Sequence, residues 1–458
     1  MHTYNLDRAN SISPTYNGGF VVAGSSPGFG PWVLKLDREG NAQWSNHYFP
    51  SGYGTGDAFW VEQTHDQGYT IAGQALSLPQ PHNTIYDGWV MKLDYKGGVE
   101  WSTTLGGLSY DWFRQIEQTN DGGYIVVGTI ACFAGSCSSG SGPSDGWLVK
   151  LDSKGSVTWQ RTFDYVGYVD ANSVQQTSDG GFIIAGDSWF GGYEQAGWVL
   201  KTDSNGNTLW QKVYSITDDN HFWSVQQTPN DGGYILAGDV LHRLSRYSSI
   251  PDALILKLDA NGNPLWQKLY VGGAYTHPFN VRTTVDGGYI VAGKSVQTAP
   301  KFQATPYLLK LDRSGKMIWQ KNYGSMIFPY GDDFSSVEAR GDNGLVVAGI
   351  LDGAGAWVLK LNDHGDAFPG CLNGVVSNST LIDVTSVART STLVTTVFLN
   401  PSALILTTTG VRVVEGNTTL STQCTTGRSV VDEVTGTGTE GNTARGVDRV
   451  ELRAKSIP

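Results

Sequence analysis

The chain has 458 residues, 40% of them apolar and 16% charged, with 59 Gly, 15 Trp and a formal net charge of −11. No run of 18 apolar residues occurs, which excludes a membrane-spanning helix, and no basic stripe occurs, which argues against a nucleic-acid partner. The acidity lies before residue 369, since the seven basic and seven acidic residues beyond it cancel, and twelve of the acids are Asp residues of repeated turns.

From the N terminus, MHTYNL resembles the end of a strand that recurs later as WQKVY. A repeat of 51 to 58 residues then runs through the chain seven times. One copy reads SVQQTSDGGFIIAGDSW and, further on, GWVLKTDSNGNTLWQKVY. Each copy is expected to give four strands. SVQQT alternates; Asp-Gly-Gly is a tight turn; YIVAG is a nearly continuous apolar strand; WVLKLD alternates again. An Asp-x-x-Gly-Asn turn then leads into a strand carrying a Trp seven residues past the Asp: Trp44, Trp101, Trp159, Trp210, Trp266 and Trp319. One such sheet cannot bury both faces alone. A period near 50, rich in short strands, predicts a seven-bladed β-propeller over 1–368, with each Trp against the neighbouring blade.

The seventh copy stops after Leu359-Lys360-Leu361-Asn362, and Pro369 stands where a fourth strand would run. Residues 1–6 are therefore expected to pair with 357–361 and close the ring; a three-stranded last blade is the alternative. Residues 371–458 hold eighteen Thr and a single aromatic, Phe398. Their short alternating runs predict a small β-sandwich, immunoglobulin-like, over 369–458. Its last strand, 447–454, follows the Gly/Thr-rich tether 435–446 and could pair within its own sandwich or with a neighbouring molecule.

Cys132 with Cys137, and Cys371 with Cys424, are expected to form disulfides, and sequons stand at Asn378 and Asn417. With few Lys, these features predict an extracellular or cell-surface glycoprotein. The repeat resembles that of bacterial and archaeal surface proteins with DGGYIVAG…WLIKLDxxGNxxW repeats. The resemblance covers about 1–366 and implies a propeller of unassigned function. Asp-x-x-Gly-x-x-x-Trp is also similar to the tryptophan-docking repeat of pyrroloquinoline-quinone propellers, one residue shorter here. The adjacent cysteines that family would bring do not occur, so only packing geometry is implied.

Four Trp lie outside the signature: Trp60, Trp112, Trp189 and Trp223. Trp60, Trp112 and Trp223 are placed in loops after the Trp strand, where they would either plug gaps or offer sugar rings a stacking platform. Asp57, Asp170 and Asp333, with His221 and His277 at the equivalent place, would form a polar ring at one channel mouth. Turn capping is the plainer role. Neither a zinc spacing nor a calcium loop, GxSxG or HExxH occurs, so no metal, cofactor or catalytic residue is assigned. The expected function is a non-enzymatic structural or adhesive protein that polymerises with itself into filaments by strand exchange. The alternative is a carbohydrate-binding or carbohydrate-cleaving propeller, with cell-surface glycans as partners.

Overall fold

A computed structural model describes the strands and tight turns of residues 2–366 apart from several loop segments, the longest being 78–84, 132–143 and 324–332, and seven short strands within 375–422. The described residues are all-β, with no helix. Seven antiparallel sheets form the blades of a propeller. The inner strands are Arg8–Pro14, Tyr53–Gln63, Asp111–Gln118, Tyr168–Gln176, Asp219–Gln227, Tyr275–Thr283 and Asp333–Ala339. Chain order runs outward through each blade, as in blade 4: Tyr168–Gln176, Phe182–Trp189, Gln195–Thr202, Thr208–Ser215.

Blade 7 is completed by the N terminus. His2–Tyr4 pairs antiparallel with Gly355–Leu361, Thr3 opposite Trp357. The ring therefore closes as the sequence led us to expect, and no edge is left between first and last blades.

Seven apolar clusters lie between successive blades. The Trp that opens the third strand is fully buried in Trp32, Trp89, Trp147, Trp198 and Trp357. The signature Trp of one blade meets the Tyr after the Asp-Gly-Gly turn of the next: Trp44 lies 5.8 Å from Tyr69 and Trp101 5.4 Å from Tyr124, edge to face. It also covers the Gly of the next blade's Asp-x-x-Gly turn. At Gly155 (φ +81°) a Cβ would come within 2.5 Å of the Trp101 ring, so this position demands both the left-handed backbone and the missing side chain. Asp152 shapes that turn by accepting from the amides of Lys154 and Ser156 at 2.8 and 2.9 Å.

The Lys of the WVLKLD strand is buried inside its own blade in blades 1 to 6, while Lys360 of blade 7 is half-buried. Lys150 donates to the Leu151 carbonyl at 3.1 Å and pairs with the turn carboxylate of Asp121 at 2.9 Å. Lys92, Lys201, Lys257 and Lys310 repeat this with Asp66, Asp179, Asp231 and Asp286. The turn acids are thus half of an ion pair, a role beyond the turn chemistry expected of them.

The expected sandwich at 369–458 falls mostly on residues outside those described. The strands that are described there pair with the propeller. Val375–Val376, Thr380–Asp383, Val387–Thr390, Thr395–Phe398, Ile405–Thr408 and Val411–Glu415 add a fifth strand to blades 6, 5, 4, 3, 2 and 1, and Leu420–Thr422 adds one to blade 7. Cys132, Cys137, Cys371, Cys424, Asn378, Asn417 and the strand 447–454 all lie outside the described residues.

Candidate functional site in the central channel

Each inner strand slips register by one residue at the same level. The extra residues are Asn10, Phe59, Arg114, Asn172, Trp223, Phe279 and Ser335. A bulge of this kind bends the strand and re-aims a side chain. Here all seven line one cavity of about 420 Å³ in the channel. The Gly of the YIVAG phrase makes the bulge possible. At Gly186 a Cβ would stand 1.8 Å from the Asp170 carbonyl oxygen, and the equivalent Gly of every other blade is crowded within 1.9 Å by the matching carbonyl. Any side chain would push the inner strand away.

The residue before each crowded pair forms a second ring, nearer the mouth. It comprises Arg8, Asp57, Trp112, Asp170, His221, His277 and Asp333. The structure thus brings the expected Asp and His positions to one level. Asp57 accepts from Gln74 Nε2 at 2.7 Å, Asp170 accepts from Thr129 Oγ1 at 3.0 Å, and Asp333 faces Arg8 across the blade 7–blade 1 junction at 3.9 Å.

Between blades 5 and 6, Asp239 is clamped by His221 Nδ1 and His277 Nδ1, both at 2.8 Å, and accepts from Trp223 Nε1 at 3.1 Å. Burial alone would raise the Asp239 carboxyl, but the two imidazole hydrogen bonds hold it down at about 2. His221 is raised: burial would lower it, and the bond to Asp239 together with the charges of Asp187, Asp239 and Asp219 outweighs that. Its Nε2 meets Gln195 Oε1 at 2.5 Å. His277 stacks flat on Phe279 at 6.2 Å. Nearby, burial pushes Asp187 up to about 7, against the pull of His221. Asp111 is pushed up to about 7 by burial as well, while holding the Gly107 and Ala131 amides.

Deeper in the channel, Glu62, Glu117, Arg282 and Glu338 occupy one register position. Burial raises all three carboxyls, Glu117 to about 8. Arg282 donates to Glu338 at 2.9 Å, and Glu117 accepts the Gln176 amide at 3.0 Å. Their partners are the neighbouring inner strands, so these groups stitch blade to blade. Among the described residues no three His, Cys, Asp or Glu converge to hold a metal ion.

The Trp residues expected in loops lie in strands instead. Trp60, Trp112 and Trp223 belong to inner strands, and Trp189 ends a second strand. The bulge interrupts the alternation, so the strand continues where the pattern breaks off. Trp60 and Trp223 line the cavity, and Trp112 backs it from behind Arg114. Trp189 is set apart, against Tyr168 at 5.6 Å. Sequence reasoning missed Arg114, Phe59, Phe279 and the Asn residues of the bulge ring.

No family model matches the chain, and no curated protein matches it. Solved structures of similar fold include an ulvan lyase from a new family of polysaccharide lyases, 12% identical, with a TM-score of 0.49 over 79% of this chain and 96% of that one. A protein of unknown function from Bacteroides caccae is 11% identical, with a TM-score of 0.38 over 65% of this chain and 94% of that one. A puromycin hydrolase variant is 12% identical, with a TM-score of 0.44 over 78% and 52%. The expectation of a non-enzymatic protein drawn from the sequence is not retained, the solved structures named here including a lyase and a hydrolase.

Proposed function

We propose that the chain is a carbohydrate-binding propeller whose ligand enters the central cavity. One observation carries this reading. The bulge ring sets aromatic faces, Phe59, Trp223 and Phe279, among amide groups, Asn10 and Asn172, around a cavity of about 420 Å³. Pyranose rings present C–H faces to aromatic rings and hydroxyls to amides, and pockets for small ligands run from about 300 to 1,000 Å³. Calorimetry against a panel of oligosaccharides tests it. Trp223→Ala should weaken binding at least about tenfold, the loss of one stacking face. Affinity unchanged in that variant, or no binder in the panel, would sink the reading.

A cleaving role is a second reading, favoured by His277. Its Nδ1 is bound to Asp239 at 2.8 Å, a carboxylate–imidazole pair of the kind that orients a proton-abstracting base. His277→Ala should then abolish product release from a bound oligosaccharide while leaving its binding within about threefold. Turnover that survives the substitution removes His277 from catalysis.

A further inference from the structure

Among the described residues, the cavity wall holds a cation with no paired anion. Arg114 is the bulge residue of blade 3, and its guanidinium is packed over the Phe59 ring at 4.9 Å and the Trp112 ring at 5.7 Å. Its Nε is buried without a hydrogen-bond partner. No described carboxylate comes within ion-pairing distance of it; Asp170, Asp187 and Asp57 act on it only at longer range. The same wall carries two more orphaned donors, the buried indole Nε1 atoms of Trp60 and Trp112. Elsewhere among the described residues most buried cations meet a carboxylate, while Lys35, Arg161 and Lys212 are held by amide or carbonyl oxygens. Lys92, Lys150, Lys201, Lys257 and Lys310 have their turn Asp, and Arg282 has Glu338.

An unanswered buried guanidinium forfeits hydration without compensation, and such a site is completed by an acceptor. The aromatic contacts fix the plane of the fork, so it can meet a planar or tetrahedral oxyanion with two parallel hydrogen bonds. Of the acids around the mouth, Asp239 is held by two imidazole nitrogens and Asp333 faces Arg8; Asp57 and Asp170, hydrogen-bonded to the neutral Gln74 and Thr129, keep their charge and set a cost that the guanidinium must outweigh. We propose that Arg114 is the anion-reading residue of the cavity, and that its ligand is an acidic saccharide bearing a carboxylate or a sulfate ester. This rests on the carbohydrate reading above and narrows it.

The test uses the full chain and four probes: an oligogalacturonate, its methyl-esterified neutral form, a sulfated oligosaccharide of similar length, and sodium sulfate alone. The wild type should prefer one acidic probe to the neutral one by about tenfold or more, the worth of a charge-assisted bidentate pair. Which acidic probe wins separates a carboxylate from a sulfate ester. Arg114→Gln should erase that preference, so that acidic and neutral probes bind alike. Arg114→Lys, which keeps the charge and loses the fork, should retain part of it. Equal binding of acidic and neutral probes, or a preference that survives Arg114→Gln, overturns the assignment to Arg114 and leaves the carbohydrate reading standing. Binding of sulfate alone, lost in Arg114→Gln, with no oligosaccharide bound, overturns the saccharide and keeps an anion site. No binding of any probe overturns both.

Discussion

At the scale of single residues, the channel is organised by atoms that the sequence repeats and atoms that it does not. The mouth positions of Asp57, Asp170, His221, His277 and Asp333 could be read from the sequence because they keep one offset from the SVQQT phrase. Asp239 acts through a coupling that titrates in two windows. Its depressed carboxyl contributes stability that is present above the ordinary Asp range near pH 4 and is lost as pH falls towards about 2. The raised His221 contributes stability that is full below the ordinary His range near pH 6.5 and is lost as pH rises through its folded value. Asp239→Asn should therefore bring the His221 titration, followed by NMR, back to or below the ordinary range. An unmoved His221 curve would remove Asp239 as its partner. Arg114, by contrast, was not legible. The bulge residues share a position and no chemistry: Asn, Phe, Arg, Asn, Trp, Phe and Ser. Repetition finds scaffold, and the site sits where repetition ends. The one available hint was the Gly of YIVAG, whose missing side chain is what the Asp170 carbonyl occupies opposite Gly186.

At the scale of the blade, the strand pattern was legible because both faces of the middle strands are buried and the turns carry Gly and Asp at fixed places. What the pattern concealed is the buried Lys, which reads as the polar partner of an alternating strand. Blade 1 supplies an internal comparison. Its turn carries Asn17 where other blades have Asp, and Lys35 Nζ reaches Asn17 Oδ1 only at 3.4 Å while donating to the Leu36 carbonyl at 2.7 Å. Burial lowers Lys35 to about 8, with only Asp37 pulling it back. A lowered Lys penalises the folded state below its folded value, and the penalty is relieved as pH rises from about 8 towards the ordinary Lys range near 10.4. Asn17→Asp should supply the missing charge and stabilise the propeller by about 1 kcal/mol at pH 7, an amount reduced by the exposure of the turn. Thermal melts at pH 7 and pH 10 check this: the gain should be present at the first and smaller at the second. Equal melting at pH 7 would mean that the amide already suffices.

At the scale of the whole molecule, the propeller is a ring whose edges need closing at two places. The first is the seam, where His2–Tyr4 stands between Gly355–Leu361 and Leu420–Thr422 as the fourth strand of blade 7. Deleting residues 1–6 should lower the melting temperature, because the Trp357 strand would lose its partner and present unpaired amides; an unchanged melt would show that the seam holds without them. The second is the rim. Every blade of a propeller ends in an outer strand with one free edge, and here the short strands of 375–422 lie along those edges in reverse blade order, six to one and then seven. Lys268 to Val271, for instance, is matched by Asp383 to Thr380, and Asn46 to Pro50 by Glu415 to Val411. This could not be read from the sequence, since pairing partners in separate parts of the chain leave no local pattern; Thr-rich alternation looks the same in a sandwich and along a rim. The two arrangements differ in what a propeller ending at Asp366 would do. If the segment lies along the rim, the shortened chain exposes seven outer edges at once. It should melt lower than the full chain and associate through those edges, as light scattering after size-exclusion chromatography would record. If 369–458 folds by itself, the shortened propeller should melt with the full chain and stay monomeric, and that outcome would overturn the rim pairing.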